Sequence, residues 1–355
     1  MYKPNLASLE TGYRLSQLGW NQRFQRQLDL EELEQFDCAR ITEHHRSEYR
    51  LLGETGNITL AIRPTMPEMA VGDWILIDKQ GQFVRLLERE SLFQRKASGP
   101  RVTQQYIAAN IDTVFIVCSV NDDFNLSRIE RYLAVARQAQ VEPVVVLTKI
   151  DLVANWHELR QSLQAIDPLM SIEAVNALEP SSRDKLLDWC GNGKTVALVG
   201  SSGVGKSTLI NTLLGLECQL TGSIREDDSK GRHTTTARSL HLMPSGGVLI
   251  DTPGMRELQL TECADGVAET FSDIEQLAER CRFSDCEHSS EPGCAVTAAI
   301  ESGDLDSRRL DNYRKLKREQ ARNSTSLAEQ RAKHRQQTKL YKSIQNDSRK
   351  RNMKS

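Results

Sequence analysis

The sequence has no apolar run approaching the roughly 18 residues that a membrane-spanning helix needs. The stretch from Met1 to Leu6 has no basic segment followed by an apolar one, so the pattern of a secretory signal is also missing. The formal net charge is only −2. These absences exclude an integral membrane protein and favour a cytoplasmic protein with reduced cysteines and no membrane partner. We also expect a monomer.

The near-neutral total hides an uneven distribution of charge. From Arg308 to Ser355 there are 16 Lys and Arg against 4 Asp and Glu, a local net charge of +12, which leaves about −14 for the rest. This pattern is typical either of a solvated helical face or tail, or of an arm that binds the phosphate backbone of RNA.

The most specific motif is Gly, four residues, Gly, Lys and Ser, between an apolar run at 195–199 and a helical pattern at 208–214. A strand, a glycine loop and a helix start in this order predict a phosphate-binding loop rather than a plain glycine turn. Lys206 would contact the β- and γ-phosphates, and Ser207 would bind Mg²⁺. The predicted nucleotide-binding residues of the loop are Gly200, Ser201, Ser202, Gly203, Val204, Gly205, Lys206, Ser207 and Thr208.

Two further motifs follow apolar strands. Asp251-Thr252-Pro253-Gly254 offers a carboxylate that can hold Mg²⁺ through water and a Gly254 amide that can sense a γ-phosphate. Thr148-Lys149-Ile150-Asp151 offers the Asp151 carboxylate to the N1–H and amino group of guanine. Taken alone, such a Lys-x-Asp is as readily a solvated turn, but three motifs at strand ends together predict a GTP site.

The guanine motif precedes the phosphate loop, and the Asp-Thr-Pro-Gly motif comes last, which is a circular permutation of the Ras-like order. With its flanking residues, the set resembles the bacterial ribosome small-subunit-dependent GTPase family, RsgA, over most of the chain. The stretches that carry the resemblance are Ile107 to Asp112, Leu147 to Leu152, Gly200 to Thr208, Gly231 to Thr236, Asp251 to Gly254 and a cysteine cluster near residue 290.

The chain departs from the usual GTPase pattern in its guanine and hydrolysis residues. Thr148 replaces the usual Asn, and Asn176-Ala177 is a weak match to the second guanine loop. Met255 stands where Ras-like enzymes have the glutamine that orients water, so unaided hydrolysis should be slow. His233 is either the group that replaces that glutamine or a plain loop histidine. Thr235 is favoured over its neighbours Thr234 and Thr236 as a magnesium ligand.

Five short strands separated by turn residues are predicted between residues 37 and 97, which fits a small barrel. The resemblance implies that this barrel is an RNA-binding OB-fold, although a barrel with only a structural role fits the pattern too. From 103 to 262 strands alternate with helices, which predicts a mostly parallel sheet. One helix there should begin at a Ser127-x-x-Glu130 capping box. The expected domains are 1–36, 37–98, 103–262, 263–330 and 331–355: an extension, the barrel, the GTPase domain, a helical zinc-binding domain and a basic tail.

Three cysteines and a histidine lie within 14 residues: Cys281, Cys286, His288 and Cys294. Three thiolates and an imidazole complete a tetrahedral zinc site, and a disulfide is disfavoured in a reducing compartment. With no open ligand position, one structural Zn²⁺ per chain is expected.

The resulting expectation is an α/β GTP hydrolase that uses Mg²⁺ and has small ribosomal subunits and their rRNA as partners. The subunit assignment comes from the resemblance alone. The alternatives are a nucleotide-independent RNA-binding protein with a vestigial GTP site and a small-molecule kinase with a zinc-held lid.

Overall fold

The computed structural model describes residues 13–96, 104–121, 123–179, 181–216, 239–251, 263–289 and 291–324. Within this part of the chain, no helix has the length and apolar character needed to cross a membrane. The predicted basic tail at 331–355 lies outside the described residues.

An antiparallel sheet of five strands follows the first helices and confirms the five predicted strands. β1 is central and pairs with β2 and β4, while β3 pairs with β2 and β5 with β4. The strands are β1 (Asp37–His44), β2 (Glu48–Gly53), β3 (Gly56–Ala61), β4 (Trp74–Ile77) and β5 (Phe83–Leu86).

The sheet curls so that its outer strands approach each other. Arg63, just after β3, donates to Gln82 Oε1 before β5 at 2.5 Å. Ile41, Leu51 and Ile75 lie in one fully buried cluster inside the curl. The result is a barrel-like unit, and its assignment as an OB-fold stays a prediction.

The N-terminal segment packs onto the outside of this barrel. It contains a 3-10 helix (Leu15–Leu18), α1 (Gln22–Gln25) and α2 (Leu30–Gln35). Leu18 and Phe24 are buried against Trp74 of β4, so the segment covers a face of the barrel rather than forming a core of its own.

The sheet continues from β1 into β12, with Glu43 opposite Ser239, and from there into a mostly parallel part that supports the predicted nucleotide motifs. Its order is β10-β9-β8-β11-β13-β12, with the first five strands parallel and β12 antiparallel to β13, as the alternating pattern predicted. The hairpin of β6 (Leu92–Lys96) and β7 (Gln104–Ala109) precedes it. The strands are β8 (Thr113–Ser119), β9 (Glu142–Thr148), β10 (Ser171–Ala174), β11 (Thr195–Val199), β12 (Ser239–Leu242) and β13 (Val248–Asp251).

Helices cover both faces of this sheet. Along β8, Phe115 and Val117 enter one core and Ile116 and Cys118 the other, as the period of two in a strand requires. The helices are α3 (Leu126–Gln138), α4 (Trp156–Gln164), α5 (Ser181–Asp184), α6 (Leu187–Cys190) and α7 (Lys206–Leu213).

The start of α3 differs from the sequence prediction. Asn125 is the N-cap, and its side chain accepts from the Arg128 amide at 2.9 Å. The predicted Ser127–Glu130 capping box is therefore wrong. Glu130 is fully buried and accepts from the C-terminal helix instead, because Asn125 already supplies the oxygen that the helix start needs.

The C-terminal helices share the core on the α3 face. Gly266 sits so close to α3 that a Cβ there would collide with the Ala134 carbonyl, and Phe271 is fully buried in that core. The helices are α8 (Ala264–Thr270), α9 (Ser272–Ala278), α10 (Ala295–Ser302) and α11 (Ser307–Ser324).

Candidate nucleotide site and metal centre

The predicted phosphate loop lies between β11 and α7, at the carboxyl edge of the parallel sheet. Gly200, Gly203 and Gly205 have φ of 148°, 82° and 99°, which glycine adopts at little cost. At Gly200 a Cβ would also collide with the Val117 carbonyl of β8. The loop therefore needs glycine both for its curl and for its close approach to the sheet.

The amino end of α7 is arranged to receive an anion. Its N-cap is Gly205, which supplies no side-chain cap, so an anion can take the place of a capping side chain at this helix start. Lys206 is buried, and its Nζ donates to the Gly200 carbonyl at 2.7 Å and to the Ser201 carbonyl. Ser207 is exposed in the first turn. The ammonium and the hydroxyl thus flank the curl of the loop.

The predicted guanine motif contacts the phosphate loop directly. Thr148 is fully buried at the end of β9, and its Oγ1 donates to the Val204 carbonyl at 2.5 Å. Lys149 Nζ donates to the Gly203 carbonyl at 2.8 Å. Thr148 therefore holds two loops together, a task that a single hydroxyl can perform in place of the usual asparagine amide.

The other residues expected to face the base lie directly after Lys149 and in the second predicted loop at 176–177. Ile150 and Asp151 lie in a short 3-10 helix after Lys149, whose φ of 61° turns the chain, and Asp151 is exposed. The second predicted loop is tied to the phosphate-loop helix, because Thr212 Oγ1 of α7 donates to the Ala177 carbonyl at 2.7 Å. Asn176, one residue earlier, donates from Nδ2 to Glu179.

The predicted hydrolysis residues are described only in part. Asp251 is half-buried and is the last residue of β13. The neighbouring strand, β11, leads into the phosphate loop. His233, Thr235 and Gly254 lie outside the described residues, as do Thr234, Thr236 and Met255.

The Cys₃His cluster forms a compact group suited to a metal ion. The ligand atoms of Cys281, Cys286, His288 and Cys294 all lie within 4.8 Å of one another. His288 Nδ1 is 3.6 Å from the Sγ atoms of Cys281 and Cys294, which are 3.9 Å apart. A tetrahedral Zn²⁺ with ordinary bond lengths requires separations of about 3.6 Å for N–S and about 3.8 Å for S–S. The donor set and its spacing therefore fit zinc.

Local hydrogen bonds prepare Cys294 to act as a thiolate. It is the N-cap of α10, and its Sγ accepts from the Thr297 amide at 3.3 Å. Burial alone would raise the pKa of this thiol, but the hydroxyl and amide of Thr297, followed by His288 and Cys286, outweigh it and lower the pKa to about 6. The negative form is thus favoured at a helix N-terminus.

Comparisons with known proteins agree with a GTPase. A family model described as RsgA GTPase matches residues 86–261. The chain is 58% identical, over 97% of its length and 96% of the relative's, to the "Small ribosomal subunit biogenesis GTPase RsgA 2" of Vibrio parahaemolyticus serotype O3:K6 (strain RIMD 2210633). The chain belongs to the RsgA GTPase family.

More distant relatives and solved structures extend the RsgA comparison. A Mesorhizobium japonicum "Small ribosomal subunit biogenesis GTPase RsgA" is 45% identical over 87% of this chain and 91% of that one. YjeQ from Thermotoga maritima matches with a TM-score of 0.60 at 26% identity, over 79% of this chain and 97% of that one. YloQ, titled a circularly permuted GTPase, shares the fold at a TM-score of 0.57 and 24% identity, over 78% and 92%. An ABC transporter family model also matches residues 189–353.

Three residues of this RsgA member join its parts in roles that its sequence did not predict. Arg128 reaches Ser201 of the phosphate loop, Glu130 binds the C-terminal helix, and Arg40 joins the barrel to β11. For Glu130 the sequence signal was the capping-box spacing from Ser127, which predicted a local role at the helix start instead of a bond to the C-terminal helix.

Proposed function

We propose that this protein is a GTPase that binds the small ribosomal subunit and assists its late maturation. Intrinsic hydrolysis is slow, and the bound subunit accelerates it. The observation that carries the nucleotide half of this proposal is the docking of the guanine motif on the phosphate loop, through Thr148 and Lys149. The subunit half is supported by the names of the relatives, at 58% identity for the Vibrio parahaemolyticus protein and 45% for that of Mesorhizobium japonicum.

GTP would lie along the edge where these loops meet. The loop amides from Gly200 to Thr208, with Lys206, would bind the phosphates, and Asp151 would read guanine, helped by the Asn176-Ala177 backbone. Ser207 would bind Mg²⁺ directly, and Asp251 would hold it through water. The carboxylate rejects adenine because adenine has no matching pair of donors.

The hydrolytic step needs groups beyond Lys206. We assign the positioning of the attacking water to His233, a magnesium contact to Thr235 and the γ-phosphate sensor to the Gly254 amide, because Met255 cannot orient water. These assignments rest on the motif pattern alone.

The metal at Cys281, Cys286, His288 and Cys294 would be a structural Zn²⁺. The support is the tetrahedral fit of the donor atoms together with a donor set that leaves no position for a substrate. Bound zinc would hold the loop between α9 and α10, a segment whose backbone is otherwise supported by polar contacts such as Ser289 N–H to Glu291 at 2.7 Å.

Contacts to rRNA would come from the barrel at 37–98, the zinc-binding region at 263–330 and the basic tail at 331–355. We propose a cytoplasmic monomer, since the family acts on ribosomal subunits. Its RNA contacts should weaken as salt increases, because counterion release drives phosphate binding.

Base specificity tests the nucleotide half. Wild-type protein should bind GTP far more tightly than ATP, and Asp151→Asn should weaken GTP and gain affinity for xanthosine triphosphate, because the substitution reverses one hydrogen-bond polarity. Competition against a fluorescent guanine nucleotide measures both. Equal affinity of the wild type for GTP and ATP would contradict the guanine assignment.

Subunit binding tests the second half. Sedimentation with purified small subunits should retain more protein with a non-hydrolysable GTP analogue than with GDP, and purified large subunits serve as the control. Equal retention with both nucleotides would favour a nucleotide-independent RNA-binding protein instead.

A further inference from the structure

Arg128 links helix α3 to the phosphate loop. Its Nη1 donates to the Ser201 hydroxyl, in the second position of the loop, and to Asp123 Oδ1 at 2.8 Å. The Ser201 carbonyl in turn accepts from Lys206 Nζ. Ser201 is therefore held at its side chain by an arginine from another element and at its backbone by the phosphate-binding lysine.

The position of Arg128 in its helix argues for a role beyond helix stability. It lies in the first turn of α3, and this turn contains no acidic residue. A positive charge near a helix N-terminus is unfavourable, because that end of the helix macrodipole is itself positive. The contacts of the Arg128 guanidinium must therefore offset this repulsion. Asp123 supplies part of that compensation, and the remaining described side-chain contact is to the phosphate loop.

The element that presents Arg128 is itself fixed. Glu130, two residues on, is fully buried and bonded to Arg309 of α11 at 2.9 Å. Its other carboxylate oxygen accepts from Asn312 of the same helix at 2.6 Å. A side chain on such an anchored helix can hold a neighbouring loop in one geometry.

We propose that Arg128 is a positioning residue for GTP hydrolysis, which acts through Ser201 to fix the first turn of the phosphate loop. This inference rests on the proposed function and deepens it. Gly200, at the start of this turn, packs closely against β8. The carbonyls of Gly200 and Ser201 both accept from Lys206 Nζ. Releasing Ser201 would therefore let the loop and the lysine shift together relative to the phosphates.

The consequence is a selective effect on chemistry. Phosphoryl transfer depends on placement of charge at the transition state, and small displacements are costly there. Arg128→Ala should lower kcat by about ten- to hundredfold. Affinity for GDP should change by less than about threefold, because the guanine motif keeps its contacts and GDP has no γ-phosphate to be misplaced.

The experiment compares Arg128→Ala, Ser201→Ala and the double variant, with Arg131→Ala as the matched control for loss of an arginine from α3. Each single variant should lose kcat to a similar degree, and the double variant should lose no more than either single one. Arg128→Lys should recover part of the loss, because an ammonium can reach Ser201 without the planar fork. Arg131→Ala should keep the wild-type kcat.

Hydrogen exchange of residues 200–205 without nucleotide gives a second readout, and it should rise in Arg128→Ala and Ser201→Ala only. Normal turnover and exchange in Arg128→Ala would overturn the inference. So would a loss in Arg128→Ala that Ser201→Ala does not share, which would mean direct action on phosphate, or an equal loss in Arg131→Ala. If the wild type hydrolyses no GTP, the proposed function fails, and the exchange measurement still decides whether Arg128 fixes the loop.

Discussion

Two interfaces attach neighbouring regions to the nucleotide-binding sheet, and each buries a charge of opposite sign. On the barrel side Arg40 is 1% exposed and donates to the carbonyls of Gly72, Leu18 and Asn110 and to Thr195 Oγ1. On the C-terminal side Glu130 is fully buried and accepts from Arg308, Arg309 and Asn312.

The two charges are compensated in different ways. Arg40 bonds only to neutral acceptors, and burial lowers its pKa to about 10, with Asp112, Asp73 and Glu90 opposing that shift from a distance. Glu130 is neutralised in place, and Arg309 also binds Asp273 at 2.7 and 2.8 Å. The barrel interface therefore combines the β1–β12 strand pairing with one cation that satisfies several backbone groups. In the C-terminal interface, several charged side chains share the compensation, so the loss of one bond leaves others in place.

The largest expected effect comes from Arg40→Met. Methionine fills much of the volume but removes the donor from the Leu18 and Asn110 carbonyls and from Thr195 Oγ1, while the Gly72 carbonyl keeps Asn110 Nδ2 at 3.0 Å. The loss should cost about 3–5 kcal/mol. Urea unfolding measures the loss, and Arg63→Met on the exposed barrel surface is the matched control. A loss no larger than that of the control would contradict the importance given to Arg40.

Glu130→Gln should have a smaller effect. The amide keeps the shape and still accepts hydrogen bonds, while Arg309 retains Asp273, so a loss of about 2 kcal/mol is expected. Urea unfolding measures both variants side by side. A larger loss of stability in Glu130→Gln than in Arg40→Met would contradict the proposed difference between the two interfaces. Asp311→Asn, on the exposed face of α11, is the control.

Removal of the metal should have the smallest and most local effect. Chelation should raise hydrogen exchange between Cys281 and Ser302 and leave the barrel unchanged, because the barrel strands have a separate core. Metal analysis of freshly purified protein should give one zinc per chain. Exchange that rises equally in the barrel would show that the two regions are not independent.

Local patterns in the sequence predicted the parts of the site that are local in the chain. The phosphate loop, the guanine motif and the Cys₃His cluster each span a few residues, and their strands and helices follow the apolar periodicity around them. The two buried charges could not be predicted in this way. Glu130 and Arg309 are 179 residues apart, and Arg40 and Thr195 are 155 residues apart.

The alternation of β1 shows why the strand pattern hides the role of Arg40. It lies between Ala39 and Ile41, which face the barrel interior, so Arg40 faces outward and resembles a solvated strand residue. Its outward face is covered by the N-terminal segment and by β11, which the strand pattern does not reveal. Likewise, the nearer capping oxygen of Asn125 freed Glu130 for the interior.

GTP turnover by the full chain, with and without purified small ribosomal subunits, tests the central claim most directly. We expect slow release of phosphate alone and an increase of at least about tenfold with subunits, since Met255 leaves the intrinsic reaction without a water-orienting glutamine. Lys206→Ala should abolish both rates, which excludes a contaminating hydrolase. Turnover that small subunits leave unchanged, or that Lys206→Ala retains, would contradict a subunit-activated GTPase.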